Sequence, residues 1–356
     1  EDLMSRPGAN ATLRGELGAV LAHCNRRSGG AVLTAAADLL GSTSVNLIGE
    51  AFPQGFFNTE GNPAARTLSL GGICEDGATG ILTGISTFGR HVGVVASYGA
   101  FLAPLAHIAA RLHAIGSQAR RAVSDDPFNP MIAICAHAGL TTGEDGPTHA
   151  DPQALQLLQE NFPKGTVVTL TPWEPREIWT LMAAALAQRP AVIAPFVTRP
   201  SERVPDRSKL GLAPASAAAT GVYRLRQARG KADGVVVLQE SGVTYAFVNE
   251  TLPLLERAGV DLDVYYIAST ELFDQLSAAE QERIFPATAA ERAMGITGFT
   301  RQTMYRWITS ARGREFTLDP FQHGHFLASG RGEAVIQEAG LDGASQFDAI
   351  RRFVAI

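Results

Sequence analysis

The chain has 356 residues, 46% of them hydrophobic, and a formal net charge of -5 at pH 7, so it is long enough for two domains of ordinary size. No basic stripe offsets the negative charge, which argues against a nucleic-acid partner. No apolar stretch approaches the ~18 residues of a membrane-spanning helix, and the acidic start Glu1-Asp2 is unlike a signal peptide, so we expect a cytoplasmic protein without membrane contact.

The first half of the chain alternates apolar runs with helical patterns. The runs fall at residues 30–37, 91–97, 131–136, 166–170 and 191–197. Buried strands that alternate with helices are typical of an α/β fold with a doubly wound parallel sheet. We predict one such domain over residues 1–200.

The second half shows a similar pattern after a break. A Pro-, Ser- and Ala-rich stretch over residues 201–222 predicts a linker. A smaller α/β domain is predicted over residues 223–356, with strands at 234–238 and 264–268 and a helix at 245–257. The three cysteines are far apart and odd in number, which favours reduced core thiols over a disulfide framework or a zinc site: Cys24, Cys74 and Cys135.

The densest chemistry lies after the third apolar run, in Gly143-Glu144-Asp145-Gly146-Pro147-Thr148-His149, with His137 twelve residues before the last histidine. Glycine, proline and adjacent charges predict a loop there. Asp151-Pro152 then opens a helical pattern. The loop would therefore follow the carboxyl end of a buried strand, where open α/β sheets place their ligands.

The same segment resembles a family signature. From His137 to His149 it reads His-Ala-Gly-Leu-Thr-Thr-Gly-Glu-Asp-Gly-Pro-Thr-His. This resembles the transketolase motif His-Asp-Ser-x-Gly-x-Gly-Glu-Asp-Gly-Pro-Thr-His, at the first position and at every position from Gly143 onward. Further local matches extend the resemblance over nearly the whole chain: Ala37-Asp38-Leu39, Trp173-Glu174-Pro175, Val197-Thr198-Arg199 and Glu271-Leu272-Phe273-Asp274.

The resemblance implies the pyrimidine-binding domain, linker and C-terminal domain of a thiamin-diphosphate-dependent transketolase. Such an enzyme moves a two-carbon ketol unit from a ketose to an aldose, often as sugar phosphates. The family's first domain holds the diphosphate and a Mg (or Ca) ion through a Gly-Asp-Gly motif, and no Gly-Asp-Gly occurs in this sequence. The chain is then one subunit of a split transketolase or a fragment of a longer chain, and we favour the first.

A split enzyme implies partners. An N-terminal transketolase subunit would carry the diphosphate-binding domain and most of the metal ligands. The resemblance also places a subunit interface near the small residues from Gly77 to Gly84. Self-association through the pyrimidine-binding domain would then give a two-plus-two heterotetramer.

The resemblance assigns the cofactor contacts residue by residue. Glu75 matches the glutamate that drives the proton relay of the aminopyrimidine, although an acid at a helix start that complements the helix dipole is the alternative. Ile73 lies beside it, and Cys74 replaces the arginine common in the family. Tyr98 and Phe101 match the aromatic cluster on the pyrimidine, although a core role, or a slip of one residue, stays open.

Asp38 is implied to contact the cofactor or the subunit interface. His149 matches the histidine suited to proton transfer at the reacting carbonyl, and His137 the one that holds hydroxyls of the ketol donor. Asp145 is the expected acceptor for an aldose hydroxyl. Three residues fall where the family clamps the substrate phosphate: Arg14, Ser42 and Arg199.

Two other functions stay open. A pyruvate-using synthase related to deoxyxylulose phosphate synthase has a similar loop, and Ala138-Gly139-Leu140 is closer to its sequence, but it has Asp-Arg where this chain has Ala136-His137. A non-catalytic partner subunit is disfavoured because the chain keeps four matched positions together: Glu75, His137, Asp145 and His149. His323-Gly324-His325 has the spacing of metal ligands, but no carboxylate or cysteine joins it, so we expect an exposed loop.

Overall fold

The computed structural model describes residues 4–37, 39–126 and 128–355. The first half is organised around one parallel sheet. Its elements in chain order are β1 (Asn10–Ala11), α1 (Leu13–Arg27), β2 (Val32–Ala36), a 3₁₀ helix (Val45–Gly49), α2 (Glu75–Phe88), β3 (Val92–Tyr98), α3 (Gly99–Val123), β4 (Met131–Ala136), a kinked 3₁₀ segment (Leu140–Asp145), α4 (Ala154–Leu158), β5 (Val167–Leu170), α5 (Glu177–Gln188) and β6 (Val192–Val197).

The five strands β2 to β6 pair in parallel in the order β2-β3-β4-β6-β5. Every residue of β4, β5 and β6 is buried, as expected for parallel strands covered by helices on both faces. The predicted doubly wound α/β domain is therefore confirmed, and each of its five predicted strands lies within two residues of the observed bounds.

The second half has a smaller mixed sheet. Its elements are β7 (Glu202–Arg203), a 3₁₀ helix (Ala215–Thr220), β8 (Val222–Arg226), β9 (Gly234–Gln239), α6 (Ser241–Ala246), a π-helical turn (Phe247–Thr251), α7 (Leu252–Arg257), β10 (Leu262–Ile267), α8 (Thr270–Asp274), α9 (Ala278–Ile284), α10 (Ala287–Glu291), β11 (Ala293–Thr297), a 3₁₀ turn (Arg301–Met304), α11 (Ala311–Phe316), α12 (Gly332–Glu338) and α13 (Gly343–Val354).

In this sheet the strand order is β11-β9-β10-β8, with β8 as an antiparallel edge strand. The predicted helix at 245–257 begins earlier, at Ser241. The reason is a side-chain cap, because the carboxylate of Glu240 accepts hydrogen bonds from the backbone N–H groups of Gly242 and Val243. A carboxylate at this position satisfies two free N–H groups of the first turn.

The segment 201–222, predicted as a linker, is fixed against the first half. β7 pairs antiparallel with β1, and the buried guanidinium of Arg207 contacts Glu174 at 2.8 Å and Glu177 at 2.6 Å. Burial by itself lowers the pKa of Arg207, but its contacts with Tyr223, Glu177 and Glu174 outweigh burial and raise the pKa, so the guanidinium stays charged. Within the described ranges, no helix is both long enough and apolar enough to cross a membrane.

Candidate active site

The predicted site lies at the carboxyl edge of the parallel sheet, where four adjacent strands end. Ser42 follows β2, Tyr98 ends β3, His137 follows β4 and Arg199 follows β6. Because the carboxyl ends of parallel strands meet at one edge, residues far apart in sequence become neighbours there. Arg14 joins them from the first turn of α1. Thr12 is the N-cap of this helix, and its hydroxyl accepts a hydrogen bond from the N–H of Gly15.

His137 is the most buried of these residues, with 1% of its surface exposed and a backbone φ of +59°. Its Nε2 lies 2.8 Å from the backbone carbonyl of Ser42, to which it donates in the tautomer that carries the proton on Nε2, and it accepts from Arg14 in the other tautomer. Nδ1 is buried and has no hydrogen-bond partner in the part of the chain that the structure describes. Burial, more than the nearby guanidinium of Arg14, lowers the pKa of His137, which leaves the imidazole neutral at pH 7.

Arg14 also donates to the Ser42 carbonyl, and its Nη1 lies 2.9 Å from His137 Nε2. The Ser42 hydroxyl instead donates to the carbonyl of Leu39 at 3.0 Å. Ser42 therefore contacts Arg14 and His137 through its backbone carbonyl. The sequence predicted a different role for Ser42, a contact with the substrate phosphate. Burial and then the nearby charge of Arg199 lower the pKa of Arg14.

Asp145 links two other strand ends. Its Oδ2 accepts hydrogen bonds from the Tyr98 hydroxyl at 3.3 Å and from Arg199 Nη1 at 3.2 Å. The ion pair with Arg199 is partly exposed, with side-chain exposures of 43% for Arg199 and 24% for Asp145, so its contribution to stability is small. Arg14 lies near enough to Arg199 to feel its charge, and only Arg199 pairs with the carboxylate of Asp145, so one guanidinium charge is left to attract an anion.

His149 completes an aromatic group with Tyr98 and Phe101. Its ring centroid lies 5.1 Å from that of Tyr98 and 5.2 Å from that of Phe101, both edge to face. His137 contacts the same Tyr98 ring at 4.1 Å. Tyr98 therefore contacts the rings of both His137 and His149.

The loop before His149 differs from the prediction. Residues 143–149 were expected to lack helix, but the 3₁₀ segment Leu140–Asp145 includes the first three of them. The chain then turns at Gly146, whose φ is +75°. The Gly146 carbonyl accepts from the N–H groups of His149 and Ala150, both at 3.1 Å. This turn directs His149 back toward Tyr98.

Glu75 is the first residue of α2 and is half-buried. Its Oε1 accepts a hydrogen bond from the Ser97 hydroxyl at 2.9 Å, which fixes the carboxyl beside the end of β3. Its position at a helix start also agrees with the alternative of a dipole-complementing acid. Cys74, expected in the core, is exposed instead, because it is the N-cap of α2 and its sulfur accepts from the Gly77 N–H at 3.3 Å.

Comparison with known proteins agrees with this geometry. The family Transketolase, pyrimidine binding domain, matches residues 11–199. The chain belongs to this family. Two curated relatives are the transketolase of Streptococcus pyogenes, 26% identical over 59% of this chain and 27% of its own length, and transketolase 2 of Xanthobacter flavus, 28% identical over 63% of this chain and 30% of its own.

Solved structures extend the likeness over the second half. A transketolase from Leishmania mexicana covers 99% of this chain at a TM-score of 0.78 and 16% identity, and a Pichia stipitis transketolase in complex with sedoheptulose 7-phosphate covers 100% at 0.76 and 20%. At these identities the likeness shows the fold, which confirms a transketolase pyrimidine-binding domain followed by the C-terminal domain. The chain spans less than half of each structure, 46% and 48% respectively.

Most residues predicted from the transketolase resemblance lie together. The connected group comprises Arg14, Ser42, Tyr98, Phe101, His137, Asp145, His149 and Arg199. Glu75 joins it through Ser97, the residue before Tyr98. Ile73 stands apart, with 74% of its surface exposed, and Asp38 lies outside the described residues.

Three residues near this site carried no usable sequence signal. Ser97 holds Glu75 from the buried end of β3. Asp151, fully buried, accepts from the Gly139 N–H at 3.1 Å, and burial raises its pKa. Ser329 reaches the loop from the far end of the chain. Nothing marks a lone serine as a site residue before the fold is known.

His323 and His325 lie on an exposed segment, and their ring centroids are 6.4 Å apart.

Proposed function

We propose that this chain supplies the pyrimidine-binding and C-terminal domains of a thiamin-diphosphate-dependent transketolase, which transfers a two-carbon ketol unit from a ketose to an aldose. The observation that carries the proposal is the convergence of His137, Asp145 and His149 with two arginines around the Tyr98 ring. A non-catalytic subunit has no need to keep this set of groups in contact.

The residues present fit the pyrimidine end of thiamin diphosphate. Glu75 presents one carboxyl oxygen to Ser97, while its Oε2 has no hydrogen bond within the described residues and is free for a ring nitrogen. Tyr98 and Phe101 offer aromatic edges close by, and Ile73 an exposed apolar side chain. Asp38 is the remaining proposed contact. The cofactor would supply a nucleophilic carbon to the reaction.

Side chains of this chain would bind the substrates and transfer the proton. His137, a neutral imidazole at the strand end, holds a hydroxyl of the ketol donor. His149 moves a proton at the reacting carbonyl. Asp145 accepts an aldose hydroxyl, and Arg14 and Arg199 hold a substrate phosphate at the positive end of the site.

Helices α2 and α3 of this chain present an exposed apolar surface on which the proposed partners can bind. Ile81 and Phe88 on α2, and Ile108, Leu112 and Ile115 on α3, expose half or more of their surfaces. Beside them, a Cβ placed at Gly80 or Gly84 would meet nothing within 4 Å. An apolar helical face with small residues suits close contact with another protein. We propose that it pairs with a second copy and with an N-terminal subunit, which holds the diphosphate and its Mg (or Ca) ion, in a cytoplasmic two-plus-two heterotetramer.

The test is reconstitution. We expect the purified chain alone neither to bind thiamin diphosphate tightly nor to transfer ketol units, and a second polypeptide with the diphosphate-binding domain to restore both. Calorimetric titration with thiamin diphosphate and magnesium measures the first, and a ketose-plus-aldose assay the second. Submicromolar binding or ketol transfer by the chain alone contradicts the split-subunit proposal. Consumption of pyruvate by the assembled enzyme instead identifies the synthase alternative.

A further inference from the structure

The C-terminal domain reaches back to the loop that carries Asp145 and His149. The Ser329 hydroxyl donates to the backbone carbonyl of Glu144 at 2.9 Å, one residue before Asp145. These two residues are 185 positions apart in sequence. The contact therefore exists only when the two halves of the chain are packed together.

Close backbone packing accompanies this hydrogen bond. A Cβ added at Gly146 would lie 3.2 Å from Ser329 Cβ, and one added at Gly332 would lie 3.1 Å from the Thr141 carbonyl. Both distances are shorter than ordinary van der Waals contact. The segment 326–335 thus lies directly against both ends of the 140–146 region, and a methyl group added between them would have to move its neighbour by a few tenths of an ångström.

Apolar contacts seal the same junction. Leu140 from the loop, and Leu327 and Val335 from the C-terminal segment, are buried in one cluster. Pro147 and Phe326 line a small cavity with them. Burial of these side chains stabilises the docked arrangement.

The loop has little regular structure of its own to hold it. Gly139 and Gly146 both have positive φ, of +76° and +75°, and the 3₁₀ segment is kinked at Thr142. Backbone that is ordered without regular hydrogen bonds depends on packing to offset its lost entropy. The C-terminal segment supplies one set of the contacts that order it, beside those of Asp145 and His149 with the ends of the strands.

We propose that segment 326–335 is a brace that sets the position of the loop carrying Asp145 and His149, and that Ser329 is a positioning residue for that loop. The consequence for catalysis rests on the proposed function. The brace itself is a property of the chain and is testable without cofactor or partner.

The experiment is amide hydrogen exchange of the full chain by mass spectrometry, read on peptides covering residues 139–152. Ser329→Ala should speed exchange of the His149 and Ala150 amides by about fivefold, the effect of losing one neutral hydrogen bond. Ser329→Thr keeps the hydroxyl and should restore slow exchange. Ser208→Ala is the matched control, since it removes a serine hydroxyl that donates at 2.8 Å to Asp206, away from the loop.

A second pair of variants tests the packing. Gly332→Ala should speed exchange in the same peptides, because the new methyl group displaces the Thr141 carbonyl, even though alanine is the better helix former. Gly230→Ala adds a methyl group with nothing within 4 Å and should leave the loop unchanged. Loop exchange in Ser329→Ala and Gly332→Ala equal to that of the wild type overturns the brace.

In the assembled enzyme, Ser329→Ala should raise KM for the aldose more than it lowers kcat, with rescue by Ser329→Thr. Equal KM values in wild type and Ser329→Ala overturn the positioning role. An assembly whose unmodified chain shows no ketol transfer overturns the proposed function instead, and leaves the exchange result to decide the brace.

Discussion

The Tyr98 hydroxyl donates to Oδ2 of Asp145 at 3.3 Å, on the same oxygen that accepts from Arg199. This contact joins the end of β3 to the loop after β4. The same Tyr98 ring contacts His137 and His149. One side chain thus contacts three of the proposed catalytic and substrate-binding groups.

Tyr98→Phe should lower the free energy of unfolding by about 0.5–1.5 kcal/mol, the net contribution of one hydrogen bond. The ring contacts remain, and Arg199 still pairs with Asp145. Urea unfolding measures the change. Tyr305→Phe is the matched control, because the Tyr305 hydroxyl has no hydrogen bond to any part of the chain that the structure describes. A loss in Tyr98→Phe no larger than in this control contradicts the contact.

Glu75→Gln should leave the fold intact, because the amide oxygen still accepts from Ser97. Turnover in the assembled enzyme should fall by roughly 10²–10⁴-fold, the usual size of a general acid–base contribution. The direct measurement is hydrogen–deuterium exchange at the thiazolium carbon of bound thiamin diphosphate. Asp76→Asn, which changes the exposed neighbouring acid, is the control. An exchange rate unchanged in Glu75→Gln shows that Glu75 serves only the helix start.

Arg199→Ala should raise KM for phosphorylated sugars while sparing glycolaldehyde, which has no phosphate. A charge-assisted contact contributes about 1.5–3 kcal/mol, which corresponds to about tenfold to hundredfold in KM. The lost ion pair with Asp145 adds little, since it is partly exposed. Arg257→Ala removes an exposed arginine on α7 and should change neither acceptor. Equal weakening of both acceptors by Arg199→Ala makes Arg199 a structural residue.

The parallel sheet could be predicted from sequence because its strands are buried on both faces. Continuous apolar runs such as Met131–Ala136 therefore mark them directly. The position of the loop with His137 and His149 could also be predicted, because an apolar strand ends immediately before His137. Local patterns of this kind can be recognised in the sequence without knowledge of the tertiary structure.

The contacts that place the groups are long-range and could not be predicted. Ser329 and Glu144 come together only through docking of the two domains. Ser42 uses its backbone carbonyl, which every residue has, so its side chain gave no signal for the role it plays. The prediction of a core position for Cys74 was wrong, because a cysteine between apolar and acidic neighbours fits either the hydrophobic core or the N-cap of a helix.

Glu271 is a second link between the domains and gives a pH-dependent prediction. From the start of α8, its Oε2 accepts from the N–H and hydroxyl of Thr169 on β5, at 3.0 and 2.6 Å, and its Oε1 accepts from the Glu160 N–H at 3.0 Å. Burial outweighs these hydrogen bonds and raises the pKa of Glu271 from 4.5 to about 7.

The folded state therefore binds a proton at Glu271 more tightly than the unfolded state does. For a carboxyl with a raised pKa, the free energy of unfolding falls as pH rises from about 4.5 through about 7, and then levels off. A difference of this size corresponds to a loss of about 3 kcal/mol across that window. Glu174 and Glu240, whose pKa values burial also raises to about 7, act in the same direction.

Glu271→Gln isolates the contribution of Glu271, because glutamine cannot titrate. The variant should lose less stability than the wild type between pH 5 and pH 8, whatever its stability at any single pH. Urea unfolding at several pH values across this range measures the difference. Glu280→Gln is the matched control, since the pKa of the exposed Glu280 is lowered by its hydrogen bonds with Ser277 and it is already ionised there. Stability curves that run parallel for wild type and Glu271→Gln mean that Glu271 is ionised throughout, and that its hydrogen bonds with Thr169 and Glu160 outweigh its burial.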